Sequence, residues 1–163
     1  MQINSALFII EGMESKPTLP SDADALRLDQ QLCFALYSAS LAMNKAYRDS
    51  LKPLGLTYSQ YLVLLVLWEQ DQRSVSDIGA RLYLDSATLT PLLKRMEAAG
   101  WLLRERLSSD ERVVVVRLSE AGRDLRRQAE AIPRQMLCRS GLPLPEARQL
   151  RAALGALRDQ LLP

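Results

Sequence analysis

Between Ser74 and Gly122 the apolar positions of the chain follow helical spacing twice and then fall into two short strand-like runs. Ser74 followed by Asp77 is a capping-box-like start that opens a short helix through Ile78 and Leu82. A turn at Tyr83 to Asp85 precedes a second helix, in which Leu89, Leu92, Leu93 and Met96 recur at i, i+3, i+4 and i+7. They form one stripe that faces a core. The opposite face carries Thr88 and Thr90 near the helix start, with Lys94 and Arg95 one or two turns later. Pro91 fits the first turn of that helix if regular structure begins as late as Thr88. Gly100 ends the helix as a C-cap glycine, and Trp101 to Leu107 and Arg112 to Leu118 read as strands. Ser108, Ser109, Asp110 and Glu111 make a polar hairpin tip, and Ser119 caps the next helix.

Helix, turn, helix, strand, turn, strand is the outline of a winged helix-turn-helix. The expected fold is mostly α with a small β-hairpin wing. Taken singly, the hydroxyls suit any helix start, the cations any solvated face and Asp110 any turn. In this order, short hydroxyls suit base edges and cations suit phosphates, so the segment is expected to bind DNA.

The flanks are helical. Leu26 to Leu51 carries Leu32, Leu36, Ala39, Met43 and Tyr47 on related faces and is ended by Pro53 and Gly55. Thr57 with Gln60 resembles a capping box for a helix from Tyr58 to about Glu69. A further amphipathic helix runs from Glu120 to about Arg139, interrupted at Pro133, and a last one from Pro145 to Leu162 aligns Leu150, Leu154, Leu157 and Leu161. The expected organisation is a disordered extension over 1–22 and one domain over 23–163. Within that domain the winged module covers about 57–119, and long dimerisation helices cover about 24–52 and 120–162. Such helices have more apolar surface than a small module can cover, which predicts a homodimer. A two-fold dimer presents two reading helices to a pseudo-palindromic operator about one helical turn apart.

Composition narrows the chemistry. The 163 residues include 48% hydrophobic ones, enough for a core, and the net charge is +2. That charge is uneven. Residues 1–72 hold five Lys/Arg against eight Asp/Glu, whereas residues 73–139 hold thirteen against nine, so the basic excess coincides with the winged segment. With no histidine and two cysteines, Ser-His-Asp and Cys-His catalysis, His-containing zinc sites and four-cysteine zinc sites are all excluded. No metal or cofactor is expected. The run Ala6 to Ile10 lacks a basic lead and is too short for a signal peptide, and no stretch reaches the length of a membrane span. A cytoplasmic protein follows. Lys16, Pro17, Pro20 and Ser21 read as an unstructured lead-in, with Met13 an alternative start.

The run Asp110-Glu111-Arg112-Val113-Val114-Val115-Val116-Arg117-Leu118-Ser119 resembles the D-x-R-x5-L-T signature of MarR-family repressors. Ser119 stands where Thr is usual and caps a helix equally well. The stretches Leu84 to Glu97 and Gln31 to Tyr37 resemble the organic hydroperoxide sensors of that family (OhrR), and the likeness extends from Leu28 to Leu162. What the resemblance implies is a thiol switch without enzymatic turnover. Cys33 is the thiol that an organic hydroperoxide oxidises, and Tyr47 and Tyr58 of the partner subunit hydrogen-bond its thiolate. Tyr37 lies nearby, and Cys138 matches the resolving cysteine of the two-cysteine branch, which closes an intersubunit disulfide and releases DNA. The reading helix starting near Ser86 enters the major groove, and Arg112, held by Asp110, enters an A·T-rich minor groove.

The residues themselves bear on that scheme. Cys33 and Tyr47 lie fourteen positions apart, about 21 Å of helical rise, so their contact has to cross a dimer. With the helix taken from Leu26, Cys33 falls about two turns inside it, where the dipole has faded, and Asp29 at i−4 opposes a thiolate. Phenol donors are then the available stabilisers. By itself a cysteine on an apolar helical face is a small buried hydrophobe. Two other functions stay open: a repressor released by a non-covalent aromatic or phenolic ligand, and a thiol-dependent peroxidase.

Overall fold

The computed structural model describes residues 25–107 and 110–162, and for Asp110 and Glu111 the backbone alone. The expected extension over 1–22 and the hairpin-tip residues Ser108 and Ser109 lie outside the described residues. The chain divides after Ala42 into two units.

In the first unit a 3-10 turn at Leu28–Gln30 leads into α1 (Leu32–Leu51), which continues into the second. The helix therefore begins six residues later than its apolar pattern suggested. Local polar bonds compete with helix there. Arg27 clamps Asp29 through two guanidinium contacts at 3.2 and 2.8 Å, and the Gln31 side-chain amide donates to the carbonyls of Ala25 and Arg27. Gln31 itself is extended, at φ −85° and ψ 116°.

In the second unit, α1 closes into a 3-10 turn at Lys52–Leu54, and Gly55 takes φ +68°. The capping box is present in both directions at the start of α2 (Tyr58–Glu69). This helix buries Gln60, Tyr61, Val63, Leu64, Val66 and Leu67 on more than one side, so it runs through the core. A two-residue strand, β1 (Arg73–Ser74), precedes α3 (Val75–Leu82) and α4 (Ser86–Ala98). Then come β2 (Leu102–Leu107) and β3 (Asp110–Leu118), in an antiparallel sheet of order β1-β3-β2. β2 and β3 pair from Leu102 opposite Leu118 to Arg106 opposite Val114, and the register slips between Arg106 and Leu107. β1 lies on the other edge of β3, Arg73 opposite Val116. Two residues carry no alternation, so β1 is absent from the sequence pattern. Ile78, Leu89, Leu93, Met96, Leu102 and Val116 meet fully buried and join the α3–α4 pair to the sheet.

Two glycines are required by close approach. A Cβ at Gly79 would stand 2.8 Å from the Leu84 carbonyl oxygen, which is how α3 folds tightly against the turn after it. A Cβ at Gly122 would stand 2.0 Å from the Trp101 carbonyl oxygen, where α5 (Glu120–Ala129) crosses the start of β2. The helix expected over 120–139 is two: α5 stops at Ala129 and α6 runs Ile132–Ser140. The break precedes Pro133, which then sits in the first turn of α6, where its missing N–H costs nothing. The last helix, α7 (Leu144–Leu161), buries no residue. No described helix is long and apolar enough to cross a membrane.

Candidate functional site

The α3–α4 pair is built by its caps. Ser74 Oγ accepts the Asp77 N–H at 3.0 Å, and Asp85 Oδ1 accepts the Thr88 N–H at 2.7 Å. That bond holds the Asp85 carboxyl below its ordinary range. Between them Tyr83 ends α3 in the left-handed region at φ +56°. The α4 helix starts at Ser86, two residues ahead of the boundary that would have placed Pro91 in the first turn. Pro91 is interior, and the hydrogen bond it deletes is the one to the carbonyl of Ala87, at the exposed start of the helix where water can replace it.

As expected, Leu89, Leu92, Leu93 and Met96 are buried. Ser86, Thr88, Lys94 and Arg95 are exposed and Thr90 half-buried. Ser86 and Thr90 line a groove of about 480 Å³ with Arg112, Val113 and Val114 of β3 opposite. Thr88, Lys94 and Arg95 do not line it. The groove adds Ser74, Ser76 and Arg104, which the pattern had not singled out. In the sequence Ser74 reads as a helix cap alone, and Ser76 carries no distinguishing signal. Arg104 is committed elsewhere: its backbone N–H and guanidinium both bond Glu97, at 3.0 and 2.9 Å, fastening β2 to α4. Arg112 is exposed on β3. Its expected partner, Asp110, has a side chain outside the described residues.

The root of the wing is pinned by a residue that sequence reasoning missed. Asp71 Oδ1 accepts the N–H of Leu118 and of Gln72, both at 2.8 Å, and Oδ2 meets Arg123 at 3.2 Å. One carboxylate thus ties the end of α2 to β3 and α5. A lone Asp in a polar D-Q-R stretch gives no hint of it.

Cys33 and Cys138 are both free, exposed thiols. Because α1 begins at Leu32, Cys33 is its second residue. The expectation of a faded dipole is corrected: this is the turn in which free backbone N–H groups and the helix dipole stabilise a negative charge. Asp29 is occupied by Arg27, which holds its carboxyl below the usual range. Tyr37 is 61% exposed. Tyr47 and Tyr58, separated in sequence, pack with their rings tilted by 39° and 4.5 Å between centroids, and Tyr61 lies 5.9 Å from Tyr47. Burial, with the neighbouring phenols, pushes the Tyr47 hydroxyl up to about 12, and burial raises Tyr58 and Tyr61 as well. These phenols keep their protons and remain donors. No described cluster of His, Cys, Asp and Glu has the makings of a metal site.

A winged helix-turn-helix whose second helix and wing meet across a groove that presents Ser86, Thr90 and Arg112 defines the class, a DNA-binding regulator. A family model described as transcriptional regulator SarA/Rot matches residues 45–128. The chain is 49% identical over 85% of its length to the HTH-type transcriptional regulator TtmR of Methylorubrum extorquens, covering 71% of that protein. It is 45% identical, over 85% of its length and 94% of the other, to the organic hydroperoxide resistance transcriptional regulator of Bacillus subtilis. Among solved structures, AbfR of Staphylococcus epidermidis is similar in several states. The reduced form bound to DNA shares 38% identity and a TM-score of 0.68 over 86% of this chain and 97% of that one. The overoxidized form bound to DNA gives 0.69, over 87% of this chain and all of that one, and the disulfide-formed protein gives 0.56, over 83% and 95%. The chain belongs to the MarR family of winged-helix transcriptional regulators.

Proposed function

We propose that this protein is a peroxide-responsive transcriptional repressor that acts as a homodimer on a pseudo-palindromic, A·T-rich operator. The supporting observation is an exposed thiol, Cys33, in the first turn of a long helix, in a chain that also carries a groove between α4 and the wing. In the reduced state α4 enters the major groove, with Ser86, Thr88 and Thr90 toward base edges and Lys94 and Arg95 toward phosphates. Arg112, steadied by Asp110, enters the flanking minor groove. The exposed leucines of α7 and the apolar side chains Leu32, Phe34 and Leu41 of α1 supply the subunit interface.

The Cys33 thiolate attacks an organic hydroperoxide, cleaving its O–O bond; Cys33 becomes a sulfenic acid and the alkoxide takes a proton to leave as an alcohol. Protonated phenols at Tyr47 and Tyr58 of the partner subunit hold the thiolate, and Tyr37 lies near it. Cys138 of the partner subunit then condenses with the sulfenic acid, a disulfide forms, water leaves, and the reading heads shift off the operator. Structures of a relative in reduced, overoxidized and disulfide states support a thiol-borne signal. The test is binding of a duplex selected by the reduced protein, titrated with cumene hydroperoxide and followed on a non-reducing gel. Wild type should lose DNA as a dimer-sized band appears, both reversed by dithiothreitol, and Cys33→Ser should keep its DNA. Unchanged wild-type binding with Cys33 reduced would sink the switch.

A second reading rests on a cleft of about 240 Å³ lined by Tyr61, Leu65, Trp68 and Pro133, with Arg126, Glu69 and Glu130 at its polar side. Two aromatic walls and mixed polar groups suit a small aromatic or phenolic ligand. Release of DNA from Cys33→Ser by such a ligand, at concentrations that release wild type, would favour a ligand-released repressor.

A further inference from the structure

The two halves of α6, the helix that carries Cys138, are held in different ways. Ile132 and Met136 are buried in the core, while Cys138, Arg139 and Ser140 are exposed, and Gly141 ends the helix at φ +69°. The last turn is tied to another helix through the Arg139 side chain. One guanidinium nitrogen donates to the Ala46 carbonyl at 3.2 Å, and the other meets Asp49 Oδ2 at 3.3 Å. Both acceptors lie in the C-terminal half of α1. The Arg139 and Asp49 side chains are 48% and 65% exposed, so the pair is screened by water and readily reversible.

We propose, resting on the thiol-switch reading above, that Arg139 is a positioning residue for Cys138: it moors the last turn of α6 to α1 in the reduced protein, and that mooring is released when the disulfide forms. The argument is geometric. On this reading α6 is the element that shifts: Cys138 moves toward its partner sulfur until the two Cβ atoms are about 3.8 Å apart. Arg139 is the next residue, its Cα about 3.8 Å away, and a shift of a few ångströms at Cys138 breaks both contacts. The mooring therefore opposes the second chemical step alone. In that step the Cys138 thiolate attacks the Cys33 sulfenyl sulfur, an S–S bond forms, the S–O bond breaks, and hydroxide leaves as water on taking a proton. The two thiols supply the two electrons that reduce one hydroperoxide. Oxidation of Cys33 precedes this step and does not involve the mooring.

The sign of the effect separates this role from its electrostatic alternative. If the guanidinium charge assisted the Cys138 thiolate, removing it would slow condensation; if it moors the helix, removing it speeds condensation. The experiment follows full-length protein after cumene hydroperoxide addition. Sulfenic acid is trapped with dimedone in a Cys138→Ser background, and disulfide is quantified on non-reducing gels with both cysteines present. Arg139→Ala and Asp49→Ala should each speed disulfide formation roughly two- to fivefold, the size of an exposed ion pair, and leave the sulfenic acid step unchanged. The reversed pair Arg139→Asp with Asp49→Arg should return the rate toward wild type. Disulfide forming at an unaltered or slower rate in Arg139→Ala would overturn the mooring alone. Absence of any wild-type disulfide would overturn the mooring together with the switch.

Discussion

At the scale of single residues, the sharpest constraint falls on Gly122. A methyl group there would lie 2.0 Å from the Trp101 carbonyl oxygen and 3.2 Å from Leu118 Cδ2, with backbone on one side that cannot yield as a side-chain tip would. The Gly122 carbonyl also accepts the Trp68 indole N–H at 2.9 Å, and Ser119, three residues back, bonds Gly100 at 2.6 Å. Moving α5 aside to admit a methyl would strain both bonds. Gly122→Ala should cost on the order of 3 kcal/mol, read as a lowered urea midpoint with the slope unchanged; a loss under about 0.5 kcal/mol, the size of an ordinary surface change, would show that the crossing is looser than this. None of it was legible in the sequence, where Gly122 is one residue of a polar helix. The contact depends on Trp101, 21 positions earlier. Asp71 escaped notice for the same reason, since its partners Leu118 and Arg123 become neighbours only after the sheet has formed. Ser74 and the apolar stripe of α4 were legible because their signals are local.

At the scale of elements, periodicity placed α2, α3, α4 and α7 closely, and it failed where a polar bond or a proline interrupts an apolar pattern. The start of α1 is the case with consequences. The leucines at 28 and 32 continue a helical spacing, but the Arg27–Asp29 clamp and the Gln31 amide divert the backbone. Cys33 consequently moves from about two turns inside a helix to its first turn. The pairing of Tyr47 on α1 with Tyr58 and Tyr61 on α2 was available only from the family likeness, for Tyr47 and Tyr58, and from the structure, for all three. That cluster carries a prediction. In the unfolded chain a phenol ionises near 10, whereas burial raises the Tyr47 hydroxyl to about 12 in the fold. Above about pH 10 the unfolded chain releases a proton that the folded one retains. Stability is therefore full below about pH 10 and falls as the pH rises toward 12. Urea unfolding at pH 8, 10 and 11 should show that decline, and Tyr47→Phe should flatten it; an equal decline in the variant would place the titration elsewhere.

The whole molecule is organised around an imbalance of apolar surface. α2 is buried on more than one side, yet α7 buries no residue and exposes Leu144, Leu150, Leu154 and Leu161. The charge is as unequal, with the basic excess in the segment that holds α3, α4 and the wing. The proposed dimer, joined through α7, would answer both, covering the leucines and setting two basic reading heads side by side. For DNA this predicts that Arg112→Ala weakens binding and lowers the slope of log affinity against log salt by about 1 per reading head if it contacts one phosphate. An Arg112 that reads groove shape alone would weaken binding with the slope intact. For the dimer, charge on the apolar face of α7 is the direct test. Leu150 and Leu154 are 47% and 40% exposed, so Leu150→Glu with Leu154→Glu removes little from the core of one chain and places two carboxylates where a partner would pack. The pair should sediment as a monomer and unfold as cooperatively as wild type. It should lose about a hundredfold in affinity for a two-half-site duplex, the gain that tethering a second reading head provides, and change little on a single half-site. A double variant that stays dimeric would move the interface off α7, and a monomer that still binds both half-sites at wild-type strength would separate dimerisation from operator recognition.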